Sequence, residues 1–142
     1  MTPEQLERLK ERRDEIITVA MGKCWHINTD GEYCNKCGKY VLDEDSLYIL
    51  SYPEYSTPEG WFELYNWLTK KKPDDFEDFY NWFWYDFDIG EQEHYIVHFV
   101  DNLPDLFVQW LVETETGWYN NRGDKELTPL GKLMKEVLDG NS

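Results

Sequence analysis

The chain has 142 residues, the length of one ordinary domain, and we expect a single domain over residues 1–142. Hydrophobic residues make up 41% of the chain and charged residues 30%, values that are typical of globular proteins and argue against disorder. No apolar run approaches the roughly 18 residues of a membrane span, and the N-terminus lacks the apolar stretch of a secretory signal. We therefore expect a soluble protein of a reducing cytoplasm, where disulfides are rare.

Aromatic content and charge distribution are both unusual. Aromatic residues make up 17% of the chain, whereas alanine occurs only at Ala20, so the core must be built from large rings. Residues 1–40 hold seven basic and seven acidic residues, so the whole net charge of −15 lies after Tyr40. From Pro73 to Asn121 there are 12 acidic and 14 aromatic residues but no lysine or arginine. Because nucleic-acid affinity comes largely from cationic side chains that release counterions, direct binding to DNA or RNA is disfavoured.

The first predicted element is a helix from Pro3 to about Met21. Thr2 is a suitable N-cap, proline is favoured at the first helical position, and Gly22 follows as a stop. Its apolar residues fall on or near one helical face, which indicates that the helix docks on a core. They are Leu6, Leu9, Ile16, Ile17 and Ala20.

The next segment carries a predicted zinc site. Cys24-x-His26 and Cys34-x-x-Cys37 contain all three cysteines and provide four ligands for tetrahedral zinc. Asp30-Gly31 between short runs of strand-forming residues predicts a hairpin turn that brings the two ligand pairs together. A site with four protein ligands leaves no position for substrate, so we expect structural Zn²⁺. The alternative is that these are ordinary buried thiols.

Two aromatic helices are predicted next. One begins at Pro58 after a Ser56/Thr57 cap and ends near Lys72, and the other begins at Asp74 and ends at Gly90. Their apolar spacing predicts that they supply much of the core, through Trp61, Phe62, Leu64, Tyr65, Phe76, Phe79, Tyr80 and Phe83. Three further rings fall off the apolar stripe of the second helix and are expected to be exposed: Trp82, Trp84 and Tyr85.

The last third of the chain predicts two more helices. Residues 91–102 are balanced between strand and helix, because strand-forming residues are flanked by helix-like sequence. Residues 104–115 form a better helical pattern. Thr128-Pro129 begins a short helix that Gly140 ends, with Leu130, Leu133, Met134, Val137 and Leu138 as its apolar residues.

Together these elements predict an α+β fold that is mostly helical, in which a small zinc-stapled β-hairpin packs with several aromatic-rich helices. Residues 1–42 would hold the N-terminal helix and the zinc hairpin, and residues 43–142 the acidic, aromatic helical part.

The sequence offers little for catalysis. His94, His98 and Asp101 have helical spacing for a second metal site, but two partly exposed histidines are the more ordinary explanation. There is no glycine-rich phosphate loop and no further cysteine. We therefore expect a protein that is not an enzyme.

The order of these motifs resembles small uncharacterised proteins of tailed bacteriophages and prophages. The resemblance covers residues 21–86 and rests on the Cys-x-His and Cys-x-x-Cys element, on Ser-Tyr-Pro-Glu-Tyr-Ser-Thr at 51–57, and on the aromatic helix from Trp61. Those proteins have an Asn-Pro-Asp-Phe-Ser-Thr-like loop, from which this chain departs at Ser51 and Tyr52. The resemblance implies a viral accessory protein of the bacterial cytoplasm, where small non-enzymatic proteins often inhibit host nucleases or defence complexes.

The leading functional hypothesis is an inhibitor whose carboxylates imitate a phosphate backbone and bind a basic surface of a host protein. The residues expected to make this contact are Asp74, Asp75, Glu77, Asp78, Asp86 and Asp88, with Trp82, Trp84 or Tyr85. Another possibility is an adaptor that uses the zinc hairpin and its neighbours Lys23, Lys36 and Lys39. A third is that the acidic surface only keeps a ring-rich protein soluble.

The zinc site gives a direct test. We expect one zinc per chain in the purified protein by elemental analysis, bound by Cys24, His26, Cys34 and Cys37. Cys37→Ser should lower both the zinc content and the thermal stability, because structural zinc contributes folding free energy. A metal content near zero, or an unchanged melting temperature for Cys37→Ser, would contradict the prediction.

Overall fold

The computed structural model describes residues 2–23, 29–30, 33–34, 54–85, 95–120 and 126–140. Over these residues it has seven helices: α1 (Pro3–Glu11), α2 (Arg13–Ala20), α3 (Pro58–Lys71), α4 (Pro73–Tyr85), α5 (Tyr95–Asp101), α6 (Leu103–Thr114) and α7 (Pro129–Asp139). Two strands, β1 (Thr29–Asp30) and β2 (Tyr33–Cys34), pair antiparallel with Thr29 opposite Cys34.

The predicted α+β class is wrong for the part of the chain that the structure describes, which is all-α in architecture. Each of its two strands has only two residues, whereas a sheet that stands as a layer usually needs three or more strands with an apolar face. A zinc-stapled β-hairpin packed against the helices is therefore not part of the described fold. The strand-forming residues around Asp30 led to the prediction of a hairpin layer. The described strands on either side of this turn are too short to form such a layer.

Most helix boundaries agree with the sequence signals. Helices α3 and α7 begin after Thr57 and Thr128, whose hydroxyls accept hydrogen bonds from the backbone N–H groups of Gly60 and Gly131. Gly140 ends α7 in the left-handed conformation, with φ 79°. The sequence left residues 91–102 undecided between strand and helix, and in the structure Tyr95–Asp101 of this segment is helical.

The single N-terminal helix predicted from Pro3 to Met21 is instead two helices. Arg12 separates α1 from α2 with φ −107° and ψ 17°, and its guanidinium Nε donates to the Glu15 carboxylate over 3.0 Å. The break lies between Leu9 and Ile16, and both of these side chains are buried. Neither proline nor glycine occurs there, so the local sequence gives no signal for the break.

Helix α6 lies at the centre of the described fold. It contacts α1, α2, α3, α4 and α5, and α7 packs on α1 and α2. Seven of its residues are buried: Leu103, Pro104, Leu106, Phe107, Val108, Trp110 and Leu111. A helix with apolar residues around most of its circumference is stable in water only when neighbouring helices cover it, so α6 organises the helices around it.

Aromatic contacts join α4 to α6 and α5. The Phe79 ring of α4 lies fully buried, with ring-centroid distances of 5.4 Å to Trp110, 5.8 Å to Phe107 and 5.4 Å to Phe99. Phe83, one turn further along, lies 5.0 Å from Phe99. Such pairs stabilise a protein by about 0.5–1.5 kcal/mol each beyond the burial of their area, so this cluster fixes which face of α4 points inward.

Two residues predicted for the core lie at the surface. Phe62 is 58% exposed and Tyr80 37% exposed, whereas Leu64, Phe79 and Phe83 are buried. The remaining members of the predicted set, Trp61, Tyr65 and Phe76, are partly buried against the core. Periodicity placed Tyr80 on the inward stripe, but α4 is covered mainly along the line of Phe79 and Phe83.

The phrase Thr-Pro-x-Gly begins both α3 and α7 and makes the same contacts each time. The Thr57 hydroxyl donates to the Glu54 carbonyl over 2.8 Å, and the Thr128 hydroxyl donates to the Gly117 carbonyl over 2.6 Å. At each glycine the preceding loop approaches closely: an added Cβ would lie 2.0 Å from the Glu54 carbonyl oxygen at Gly60 and 2.2 Å from that of Trp118 at Gly131. The glycines are therefore required for space, because the loop backbone occupies the place of their side chains.

This close approach predicts the sign of a mutation. In an open helix, glycine to alanine stabilises by about 0.5–1 kcal/mol, but here we expect Gly60→Ala to lower the free energy of unfolding by about 1–3 kcal/mol, because the methyl group must displace loop backbone. Urea denaturation of the wild type and the variant measures this difference in the free energy of unfolding. The control is Glu59→Ala, at the exposed neighbouring position, which should change stability little. A higher urea midpoint for Gly60→Ala would show that the loop does not occupy this space.

Candidate functional site

The sequence of α4 divides it into a charged side and an apolar side. Asp74 and Asp75 lie in its first turn, where carboxylates interact favourably with the positive end of the helix dipole. Phe79, Trp82 and Phe83 are its buried residues. These inward rings leave the opposite side of the helix to solvent.

The outward side of α4 carries Asp74, Glu77, Asp78 and Tyr85, all exposed, and we call these four residues the acidic face. At 100° per residue they fall within about one third of the helix circumference. The ion pairs among the described residues involve Arg12, Lys23 and side chains of α2, α3, α6 and α7, and none uses a carboxylate of the acidic face. The helix thus presents three carboxylates and a phenol ring that no described cation neutralises.

The prediction that Trp82 is exposed is wrong. Trp82 is 6% exposed, and its indole Nε1 donates to the Glu113 carboxylate Oε2 of α6 over 2.6 Å. Burial of an indole ring is favourable when its N–H finds an acceptor, and Glu113 provides one at the edge of the core. Trp82 therefore lies beneath the acidic face and joins α4 to α6.

The other residues predicted to contact a partner differ in how exposed they are. Tyr85 is 83% exposed at the end of α4. Trp84 is half-buried, with its ring centroid 5.9 Å from that of Tyr80. Asp75 is half-buried beside the acidic face, and Asp86 and Asp88 lie outside the described residues.

A groove of about 340 Å³ runs between α4 and the end of α6, and we call it the α4–α6 groove. Its lining combines three aromatic rings with short polar side chains: Asp78, Asn81, Trp82, Tyr85, Trp110, Thr114 and Thr116. Asp78 and Tyr85 belong to both the acidic face and the groove. The groove therefore connects the exposed carboxylates with the ring-rich core.

The hydroxyl groups of the groove are oriented by one another. The Thr114 Oγ1 proton goes to the Trp110 carbonyl, 2.7 Å away, because a carbonyl can only accept. The contact of 2.7 Å between the Thr114 and Thr116 hydroxyls must then use the Thr116 proton. Both protons are committed, so these two hydroxyls offer lone pairs to the groove.

The predicted zinc ligands fall almost entirely outside the described residues. Cys24, His26 and Cys37 are not described, and Cys34 is placed only by its backbone in β2. Within the described ranges, no group of three or more His, Cys, Asp and Glu side chains has metal-binding geometry. The zinc site remains a prediction from the sequence.

The structure does not support the second possible metal site at His94, His98 and Asp101. His94 lies outside the described residues and Asp101 is exposed. The His98 ring stacks on Phe83 at a centroid distance of 6.1 Å, and its Nδ1 lies 3.5 Å from the Asn102 amide nitrogen. His98 thus takes part in the packing of α5 against α4.

Sequence reasoning missed the part of the site that α6 contributes. Glu113, Thr114 and Thr116 carry no motif, and Glu113 is 31 positions from Trp82 in the chain. Only the packing of α4 on α6 brings them together. The one signal in this region was the helical pattern of residues 104–115, which does not show what that helix contacts.

Comparison with known proteins gives no relative. No family model, no curated protein and no solved structure matches the chain. Among the described helices, none combines the length and apolar character needed to span a membrane.

The contact between Trp82 and Glu113 predicts an energetic coupling between α4 and α6. Trp82→Phe should lower the free energy of unfolding by about 1–2 kcal/mol, because a hydrogen bond to a carboxylate and part of a buried ring are lost. Glu113→Ala should cost about 1 kcal/mol in the wild-type background and much less in the Trp82→Phe background. Urea denaturation of the four proteins of this double-mutant cycle measures the coupling. Strictly additive losses would show that the two side chains do not interact.

Proposed function

We propose that this protein is a non-enzymatic binding protein whose acidic face docks on a basic surface of a nucleic-acid-handling host protein and blocks it. The observation that carries the proposal is the arrangement of Asp74, Glu77, Asp78 and Tyr85 on one exposed side of α4, with no described cation paired to them. The resemblance to bacteriophage proteins favours a bacterial partner, such as a defence nuclease.

The spacing of the carboxylates suits a surface that normally binds phosphates. Asp74 and Asp78 are one helical turn apart, about 6 Å along the axis, which is on the order of two phosphate steps of one DNA strand. A rigid helix holds the charges in place, so little side-chain and backbone entropy is lost when a partner binds. The acidic face is therefore a sparse but preorganised imitation of a phosphate backbone.

Tyr85 adds what carboxylates alone lack. Tyrosine is enriched at interface positions that lose most of their solvent on binding, and this ring is 83% exposed in the free protein. Charged groups steer encounter and suppress wrong partners, whereas an aromatic anchor contributes much of the affinity. The combination favours a binding face over a surface that is acidic only for solubility.

A charge-reversal experiment tests the proposal. Immobilised wild-type protein and the variant Glu77→Lys/Asp78→Lys are incubated with a nuclease-treated bacterial lysate. We expect the wild type to retain basic proteins that duplex DNA elutes, and the variant to lose them. Retention should also weaken between about 0.1 M and about 1 M salt, since the screening length falls from about 10 Å to about 3 Å.

The matched control is Glu7→Lys/Glu11→Lys on α1, which makes the same change in net charge at two exposed positions away from α4. It should retain the same proteins as the wild type. Both reversed pairs lie beyond the first turn of their helices, so neither puts lysine at the positive end of the dipole. If Glu77→Lys/Asp78→Lys captures at about 0.1 M salt what the wild type captures there, the acidic face only solubilises the protein.

A further inference from the structure

We propose that the α4–α6 groove receives one arginine side chain of the partner and so sets the register of the docked basic surface. This inference rests on the proposed function and names the chemical group that the interface recognises. The occupant is a guanidinium group, and three properties of the groove favour it: its charge, its hydrogen-bonding groups and its rings.

The groove carries negative charge, and the helices that form it contain no lysine or arginine to neutralise that charge. Asp78 lines the groove, and Glu113 lies beside it with one carboxylate oxygen bound to the Trp82 indole. The chain contains no lysine or arginine from Pro73 to Asn121, which includes all of α4, α5 and α6. A cation from a partner would meet two carboxylates at close range and no competing positive charge in these helices.

Three polar side chains of the groove present acceptors, and the other two, Asn81 and Tyr85, can both accept and donate. Asp78 supplies carboxylate oxygens, and the Thr114 and Thr116 hydroxyl protons are already used within the pair and on the Trp110 carbonyl. A guanidinium has five N–H donors and no acceptor, so it complements these groups.

The rings of the groove select arginine over other donors. Tyr85 is 83% exposed, and a guanidinium is attracted to the face of such a ring. Trp82 and Trp110 also line the groove, although only 6% and 3% of their surface is exposed. Arginine also stacks as a flat group and is more weakly hydrated than the ammonium of lysine, so it leaves water more readily for an aromatic site. At about 340 Å³ the groove is at the lower end of ligand sites, which suits one long side chain.

The test uses a defined probe. The blocked tripeptide acetyl-Gly-Arg-Gly-amide is titrated into the full-length protein, and the tryptophan indole N–H signals are followed by NMR. We expect a saturable shift of the Trp82 indole signal, assigned by its loss in Trp82→Phe. The citrulline analogue, which has nearly the same shape but no charge, should bind at least fivefold more weakly.

Variants locate the binding site. Asp78→Asn and Tyr85→Ala should each weaken binding of the arginine peptide by about two- to fivefold, the size expected for one exposed cation–π or charge contact. The control is Glu11→Gln, which removes one charge at an exposed position of α1, away from the acidic face and the groove, and should change affinity less than twofold. All three positions are exposed, so folding should be retained, and the urea midpoint of each variant checks this.

The outcomes separate this inference from the proposed function. Equal affinity for the arginine and citrulline peptides, tighter binding of a third peptide, acetyl-Gly-Lys-Gly-amide, or indifference to Asp78→Asn and Tyr85→Ala would overturn the arginine site. The proposed function would still stand if the lysate proteins were lost from Glu77→Lys/Asp78→Lys. If instead the arginine peptide binds as expected while that variant captures what the wild type captures, the groove assignment stands and the proposed function fails.

Discussion

Burial of α6 is the constraint on which the rest of the described structure depends. This helix is apolar around most of its circumference, so α1 to α5 must cover it before it is stable in water. The chain has almost no alanine, and the covering contacts are therefore made by rings, with Phe79 between Phe107 and Trp110 as the central example. Large rings need specific mutual angles, which limits how α4 can rotate about its axis.

The fixed rotation of α4 explains the position of the acidic face. Once Phe79 and Phe83 point into the core, the carboxylates at Asp74, Glu77 and Asp78 must point to solvent. The same contacts place Trp82 at the boundary, where its N–H reaches Glu113 of α6. Core packing and the proposed interface are thus two sides of one helix, and a change that reoriented α4 would disturb both.

The backbone at the two Thr-Pro-x-Gly starts shows how little free space the described helices leave around them. At Gly60 and Gly131 a loop carbonyl occupies the place of a side chain, and each threonine hydroxyl both donates to a loop carbonyl and accepts the glycine N–H. These contacts fix the direction in which α3 and α7 leave their loops. Since α3 contacts both α4 and α6, its entry angle also helps to position the groove side of the fold.

The sequence by itself determined the starts of α1, α3 and α7 and the end of α7, because caps, prolines and glycines act over a few neighbouring residues. It also determined the acidic, cation-free character of the region from Pro73 to Asn121, which is a property of composition. Tertiary structure decided the break at Arg12, the exposure of Phe62 and the burial of Trp82, and it assembled the groove from Asp78 and Thr114. These features depend on contacts between residues far apart in the chain, and helical periodicity shows which residues share a face but not which neighbour covers it.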